Sequence, residues 1–213
     1  MSNQEPKVAY FCMEYGLESD FKIYSGGLGV LAGDHMKTAA DQDRDLIGIG
    51  ILWKQGYNEQ IFRDGYRPYN AYPNEKMNYD FLEDTGVKVN VEIREREVTA
   101  KVWKVTEFGN ADLYLLDTDV EENFGADSWI TDRLYGGFDE HRIAQEMVLS
   151  IGGVRALRKL GIEPDVYHFN DSHPVFAGVE LLREKMEDHG MWFDDAMEEV
   201  QEDVVFTTHT PVK

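Results

Sequence analysis

Three short stretches of this chain carry side chains and backbone groups suited to chemistry, and they lie far apart in sequence. The first is Ser25-Gly26-Gly27-Leu28-Gly29, a glycine turn running into a helix-like segment at about 28–40. Glycines lack Cβ atoms, so backbone N–H groups can approach a ligand closely and φ > 0 is tolerated. At a helix start those N–H groups have no internal partner and sit at the positive dipole end, which suits an anion such as phosphate. A tight turn with close helix packing and no ligand is the alternative. The second stretch is Asn170-Asp171-Ser172-His173 and the third is His209-Thr210. Taken singly, Asn170 and Asp171 read equally well as turn and capping residues. His173 reads as a solvated helix-start residue and His209 as a residue without a role. Glu14 has no carboxylate partner in the pattern, so it is read as holding a neighbouring loop through bonds to backbone N–H groups.

The elements between these stretches are what bring them together. Residues 8–13, with the sequence Val-Ala-Tyr-Phe-Cys-Met, form a continuous apolar run and predict a buried strand. With the helix at 28–40 and a second apolar strand at 46–53, the pattern is βαβ, hence parallel pairing. Residues 57–118 change character and predict an antiparallel excursion: a hairpin turning at Asp64-Gly65, then strands at 87–93, 98–106 and 111–117. A long helix is predicted over 139–160, with Ile143, Met147, Val148, Ile151, Val154 and Leu157 on one stripe. Gly152-Gly153 inside it implies something packed very closely there. Strands at 165–169 and 204–208 follow, with Ser172 as N-cap and Pro174 in the first turn of the helix between them. In an open α/β sheet, ligands bind outside the carboxyl ends of the strands. That rule gathers Glu14, Tyr15, the glycine turn, Lys54, Gln55, residues 170–173 and His209-Thr210 at one edge, and the cluster says more than any member.

Composition narrows the classes. The chain has 213 residues, 42% apolar and 12% aromatic, enough for a real core. Its formal charge is −20, from 41 acidic and 21 basic residues, which argues against nucleic acid and anionic membranes as partners. The single cysteine, Cys12, lies in an apolar strand and is read as a buried inert thiol. No secretory signal and no membrane-length apolar run are present, so a cytoplasmic location is expected. A dinucleotide fold is disfavoured: more than ten residues separate the first strand from the glycines, and the second strand ends in Trp53-Lys54-Gln55 rather than an acid. No zinc or other metal site is read, since His168 and His173 lack a matched pair. Trp103, Trp129 and Trp192 are read as core residues rather than sugar platforms.

Seven stretches in order carry a family resemblance: Ala9-Tyr-Phe-Cys-Met-Glu-Tyr-Gly16, Ile23-Tyr-Ser-Gly-Gly-Leu-Gly-Val-Leu-Ala-Gly-Asp34, Leu134-Tyr-Gly-Gly137, Arg142-Ile-Ala-Gln-Glu146, Ile151-Gly-Gly-Val-Arg-Ala-Leu157, Asn170-Asp-Ser-His-Pro174 and Thr207-Thr-His-Thr-Pro211. Together they resemble the α-glucan (glycogen, starch, maltodextrin) phosphorylases, most closely the short microbial form, over residues 8–212. The resemblance implies an α/β chain, the Rossmann-like N-terminal domain of a GT-B glycosyltransferase spanning 1–213. It also implies transfer of a terminal α-1,4-linked glucosyl unit to inorganic phosphate, giving glucose 1-phosphate, with pyridoxal phosphate as cofactor. By position it implies Gly26, Gly27 and Gly29 at the cofactor and substrate phosphates. Leu28, Asn170, Asp171, His173 and Thr210 would contact substrate, and His209 would stabilise the glucosyl transition state. Glu14, Tyr15, Arg142 and Glu146 would support the site. The cofactor-binding lysine and the phosphate-holding groups of the second domain have no match here, so a C-terminal domain or separate half is implied as partner and the chain alone is expected to be inactive. Exposed interdomain surface implies self-association, with a homo-oligomer as one form, or marginal stability. A nucleotide-sugar glucosyltransferase of the glycogen-synthase kind and a non-catalytic glucan-binding module are the alternatives.

Overall fold

A computed structural model of the chain describes residues 5–209; Thr210 lies outside the described residues. The chain opens with β1 (Val8–Phe11), α1 (Gly27–Asp41) and β2 (Leu46–Ile51), then a hairpin of β3 (Glu59–Arg63) and β4 (Arg67–Ala71). The strands β5 (Glu83–Ile93), β6 (Arg96–Val105) and β7 (Leu113–Asp117) follow. The second half carries α2 (Asp139–Met147), α3 (Gly153–Lys159), β8 (Val166–Asn170), α4 (Val175–Arg183), α5 (Phe193–Asp203) and β9 (Val204–Thr207).

Among the described residues one seven-stranded sheet runs β5-β6-β7-β2-β1-β8-β9, while β3 and β4 pair only with each other. Strands β7, β2, β1, β8 and β9 are parallel along their shared edges, and β6 and β5 continue the sheet in antiparallel sense. The four strands read as a parallel set are present as such, with the meander added at one side, so the chain is α/β with a mostly parallel central sheet. The third meander strand has two neighbours of opposite sense: β7 is antiparallel to β6 and parallel to β2. This follows from its sequence, Leu-Tyr-Leu-Leu-Asp, which is buried throughout, as a strand covered on both faces must be. In β5, by contrast, Val89, Val91 and Ile93 are buried while Lys88, Asn90 and Glu92 are exposed.

The long helix differs from the expected single α-helix. Between α2 and α3 the backbone widens into a π-helical turn at Val148–Gly152. The additional residue shifts the helical register by about 100°. Ile143 therefore leaves the stripe and stands 48% exposed, while Val148, Val154 and Leu157 are fully buried. The close approach expected at Gly152-Gly153 is present: a Cβ on Gly152 would lie 2.8 Å from Leu116 Cδ2, and one on Gly153 would lie 2.6 Å from Phe11 Cε1 and 2.7 Å from Ile49 Cγ2. Ser172 is not the N-cap of the next helix; Pro174 holds that position, and Ser172 instead accepts a bond from Val175 N at 3.2 Å through its carbonyl. The tryptophans also depart from a common core role. Trp103 packs against the core, but Trp129 sits in a 3₁₀ turn and is 50% exposed, and Trp192 precedes α5 and is 82% exposed. None of the helices is long and apolar enough to cross a membrane among the described residues.

Gly153→Ala brings a methyl group against Phe11 and Ile49 in the centre of the core. Overpacking of about 1–3 kcal/mol exceeds the helix-propensity gain of about 1 kcal/mol. Urea denaturation should show a lower midpoint with an unchanged slope; a midpoint at or above that of the parent would contradict the packing described.

Candidate functional site

Because β1, β8 and β9 run the same way, their carboxyl ends meet at one edge of the sheet, where α1 also begins. β1 delivers Cys12 and Glu14, β8 delivers residues 170–173, and the chain after β9 delivers His209. Glu14 is only 3% exposed. Its Oε2 accepts bonds from Ser25 N at 2.7 Å and Gly26 N at 3.2 Å, and its Oε1 accepts the Tyr135 hydroxyl. This is the loop-holding role read from the sequence, with a tyrosine added. Gly26 is the N-cap of α1 and Gly27 its first residue. The first intrahelical bond runs from Val30 N to Gly26 O at 3.2 Å, so the N–H groups of Gly27, Leu28 and Gly29 precede the helical ladder.

The glycines serve for a different reason than φ > 0. None of Gly26, Gly27 and Gly29 has positive φ. A Cβ at Gly26 or Gly27 would meet nothing within 4 Å, so the turn presents bare backbone to open space. A Cβ at Gly29 would lie 2.5 Å from Tyr24 Cβ and 2.9 Å from Glu14 Oε2. Gly29 thus lets the helix sit against the carboxylate, and Leu28 packs partly against the core.

A second network lies beside the first. Asn170 is 1% exposed; its Nδ2 donates to Tyr10 Oη at 2.5 Å and Cys12 Sγ at 3.2 Å. With the amide nitrogen so engaged, Oδ1 faces His209 Nε2 at 2.6 Å and accepts a hydrogen bond from its N–H. The Cys12 thiol is fully buried, and burial pushes its pKa up to about 12, in keeping with an inert thiol. Asp171 adopts φ of +65°, donates its N–H to Thr207 O at 2.8 Å and accepts Ser172 N at 2.9 Å. His173 lies beside the first network: its ring centroid is 5.9 Å from that of Tyr135. Arg142 stacks over the Tyr135 ring at 4.4 Å and bonds Glu146 at 3.0 Å. The Nδ1 of His173 is buried without a hydrogen-bond partner among the described residues. Buried polar atoms are rarely left so, and this one marks a place for a ligand or water.

Other expected members stand apart. Tyr15 is buried in the core, its hydroxyl donating to Tyr10 O at 2.7 Å and Ile49 O at 3.0 Å, so it braces β1 from beneath. Lys54 pairs with Asp119 at 3.0 Å and lies over Trp129, fastening a different loop. Gln55 lines, with Tyr24 and Ser25, a recess of about 260 Å³ beside the glycine turn. Tyr10 and Tyr135 are contributors that the sequence reading did not assign; both lie within stretches that carry the family resemblance. A larger groove of about 1220 Å³ lies at the opposite ends of the strands, near Pro164 and Tyr167. Within its walls Arg158 pairs with Glu184 and Lys185 with Glu199, and Lys159 donates to the Lys88 carbonyl at 2.6 Å.

Burial, then the nearby Arg142 charge, holds the His173 imidazole below the ordinary histidine range. Burial does the same to His35 and, with two neighbouring histidines, to His168. A lowered folded pKa means that the unfolded chain takes up protons first. Stability is then full above about pH 6.5 and declines as pH falls through that value. The melting temperature should drop between about pH 6.5 and pH 5, ahead of carboxylate titration; a flat profile there would contradict the assignment. Glu14→Ala leaves the Ser25 and Gly26 N–H groups unpaired. A loss of about 1–3 kcal/mol is expected, with faster hydrogen exchange at those two amides, and unchanged exchange would show that the carboxylate does not hold the turn.

No family model matches the chain. It is 45% identical over 214 residues to the maltodextrin phosphorylase of Thermococcus litoralis, covering 98% of this chain and 26% of that protein. It is 42% identical over 218 residues to the glycogen phosphorylase of Mycobacterium tuberculosis, covering 96% of this chain and 25% of the relative. To the glycogen phosphorylase of Aquifex aeolicus it is 38% identical over 212 residues, covering 97% and 30%. The chain thus spans between a quarter and a third of the length of these curated relatives. Across nearly all of its own residues, this chain is similar to one part of proteins named glycogen and maltodextrin phosphorylases.

Proposed function

We propose that the chain forms one wall of the catalytic cleft of an α-glucan phosphorylase, which moves a terminal α-1,4-linked glucosyl unit onto inorganic phosphate. The observation that carries this reading is the gathering of Glu14, the open glycine turn, Asn170, Asp171, His173 and His209 at one sheet edge. Similarity to proteins named phosphorylases supports it. In this reading the sheet is the Rossmann-like domain of a GT-B fold, and a facing domain outside this span completes the site.

The chain's own residues divide the work. The bare N–H groups at the start of α1 receive phosphate oxygens. Asn170, Asp171 and His173 offer hydrogen bonds to glucosyl hydroxyls. His209, oriented through Nε2 by Asn170, faces the glucosyl unit and stabilises it as positive charge develops at its anomeric carbon. Pyridoxal phosphate fits in part: the open backbone at Gly26 and Gly27 suits an anionic group, whereas no lysine stands among the gathered side chains. When bound, the cofactor supplies a phosphate group that exchanges a proton with the substrate phosphate. A nucleotide-sugar transferase is less well supported, because Lys22, the lysine nearest the turn in sequence, gives its ammonium to Ser19 O at 2.6 Å.

The 213-residue chain should release no glucose 1-phosphate from maltodextrin, even with pyridoxal phosphate, whereas a longer protein supplying the facing domain should. In that protein His209→Ala should lower kcat by roughly 10²-fold or more. Turnover by the chain alone, or an unchanged kcat, would overturn the proposal. Titration of the chain with inorganic phosphate should shift the amide resonances of Gly27, Leu28 and Gly29 first.

A further inference from the structure

Tyr10 is buried in β1, out of reach of a substrate, yet it meets both supports of His209. The first support is Asn170. Among the described residues the His209 ring has one hydrogen-bond partner, Asn170 Oδ1 at 2.6 Å. The same amide donates through Nδ2 to Tyr10 Oη at 2.5 Å. Its other acceptor, Cys12 Sγ at 3.2 Å, is a weak one. The terminal torsion of an asparagine is broad and soft, so an amide held by the thiol alone can turn, and the His209 ring with it. The Tyr10 hydroxyl is what fixes the amide. Burial pushes its pKa up, so it stays a neutral O–H.

The second support is β9. As the outermost strand it has a neighbour on one side only, so β8 sets its place. The ladder pairs Asn170 with Thr207. His168 adds a side-chain tie, its Nε2 lying 2.7 Å from Thr207 Oγ1, two residues before His209. Tyr10 and His168 are partners in the β1–β8 register, and their rings meet edge to face, with centroids 5.0 Å apart and planes at 74°. His35 of α1 closes on the Tyr10 ring in the same manner, at 4.9 Å and 66°. Edge-to-face contact is a preferred aromatic geometry, so the Tyr10 ring is held from two sides and in turn holds His168.

We propose that Tyr10 is a positioning residue for His209, acting through Asn170 by its hydroxyl and through His168 and Thr207 by its ring. Its effect on turnover rests on the role proposed above for His209; its effect on the His209 ring does not.

The test begins on the 213-residue chain. Nitrogen chemical shifts of the His209 ring report its tautomer. At about pH 8, where an ordinary histidine is neutral, the parent should show one tautomer, protonated at Nε2. Tyr10→Phe removes one oxygen and keeps the ring, and should move both nitrogens toward the averaged shifts of a free imidazole. Thr207→Val, a change that a strand accepts readily, should move them the same way by a smaller amount. Tyr167→Phe removes a hydroxyl from the adjacent position of β8, on the opposite face of the sheet, and should leave them unmoved. In a longer protein that supplies the facing domain, Tyr10→Phe should lower kcat by about tenfold or more with KM for phosphate unchanged. A parent ring already averaged, shifts indifferent to both Tyr10→Phe and Thr207→Val, or shifts moved equally by Tyr167→Phe would overturn the proposal. So would a parental kcat for Tyr10→Phe in a protein that His209→Ala slows. Absence of turnover in the longer protein would count against the activity instead, and the nitrogen shifts would still decide the positioning.

Discussion

Glu14 lies buried at the end of a central strand, and its two oxygens tie down two segments that nothing else joins so directly. One oxygen takes the N–H groups of Ser25 and Gly26; the other takes the Tyr135 hydroxyl. Removing a carboxylate from water is costly unless it is hydrogen-bonded. Here the donors lie at the positive end of α1, which favours a negative charge. The arrangement sets where α1 starts, and so where its unpaired N–H groups point. It also requires Gly29, since a side chain there would occupy the space of the carboxylate.

The same constraint accounts for a strained residue. Tyr135 has φ of +57°, a left-handed conformation unfavourable for a bulky side chain. It is held by the bond to Glu14 and by Arg142 stacked on its ring. Asp171 is likewise left-handed, fixed between β9 and the start of α4. Such conformations persist only where the surroundings over-determine them, and they collect at functional sites. Asn170, bonded to Tyr10, Cys12 and His209, adds to the same hydrogen-bonded sheet edge.

Much of the architecture was legible because buried parallel strands need continuous apolar runs, and residues 8–13, 46–53 and 165–169 supply them. The carboxyl-end rule then gathered Glu14, Asn170, His173 and His209 without any knowledge of contacts. What could not be read was anything that depends on pairing over distance. Tyr135 and Glu14 are 121 positions apart, and no periodicity links them. The π-helical turn inserts its residue without a local mark, so Ile143 was placed on the wrong face. The glycine turn was identified, but the need for Gly29 rests on Tyr24 and Glu14 touching it. Trp129 and Trp192 were misread because hydrophobicity alone does not separate a core tryptophan from one on a turn.

The central position of β1 carries a consequence for how the molecule comes into being. β1 is flanked by β2, which follows soon after it, and by β8, whose Val166 pairs with Val8. On a ribosome adding about 5–20 residues per second, one edge of that apolar strand stays without its neighbour for several seconds or longer. The bonds at this sheet edge become possible in the same order: the turn at Ser25 can close on Glu14 early, whereas Tyr10 waits for Asn170, 160 positions later. A nascent chain stalled between these events lacks the strand that covers one edge of β1, and an uncovered edge is a template for intermolecular pairing. Proteostasis, rather than catalysis, is then the stage at which substitutions in residues 166–170 act first.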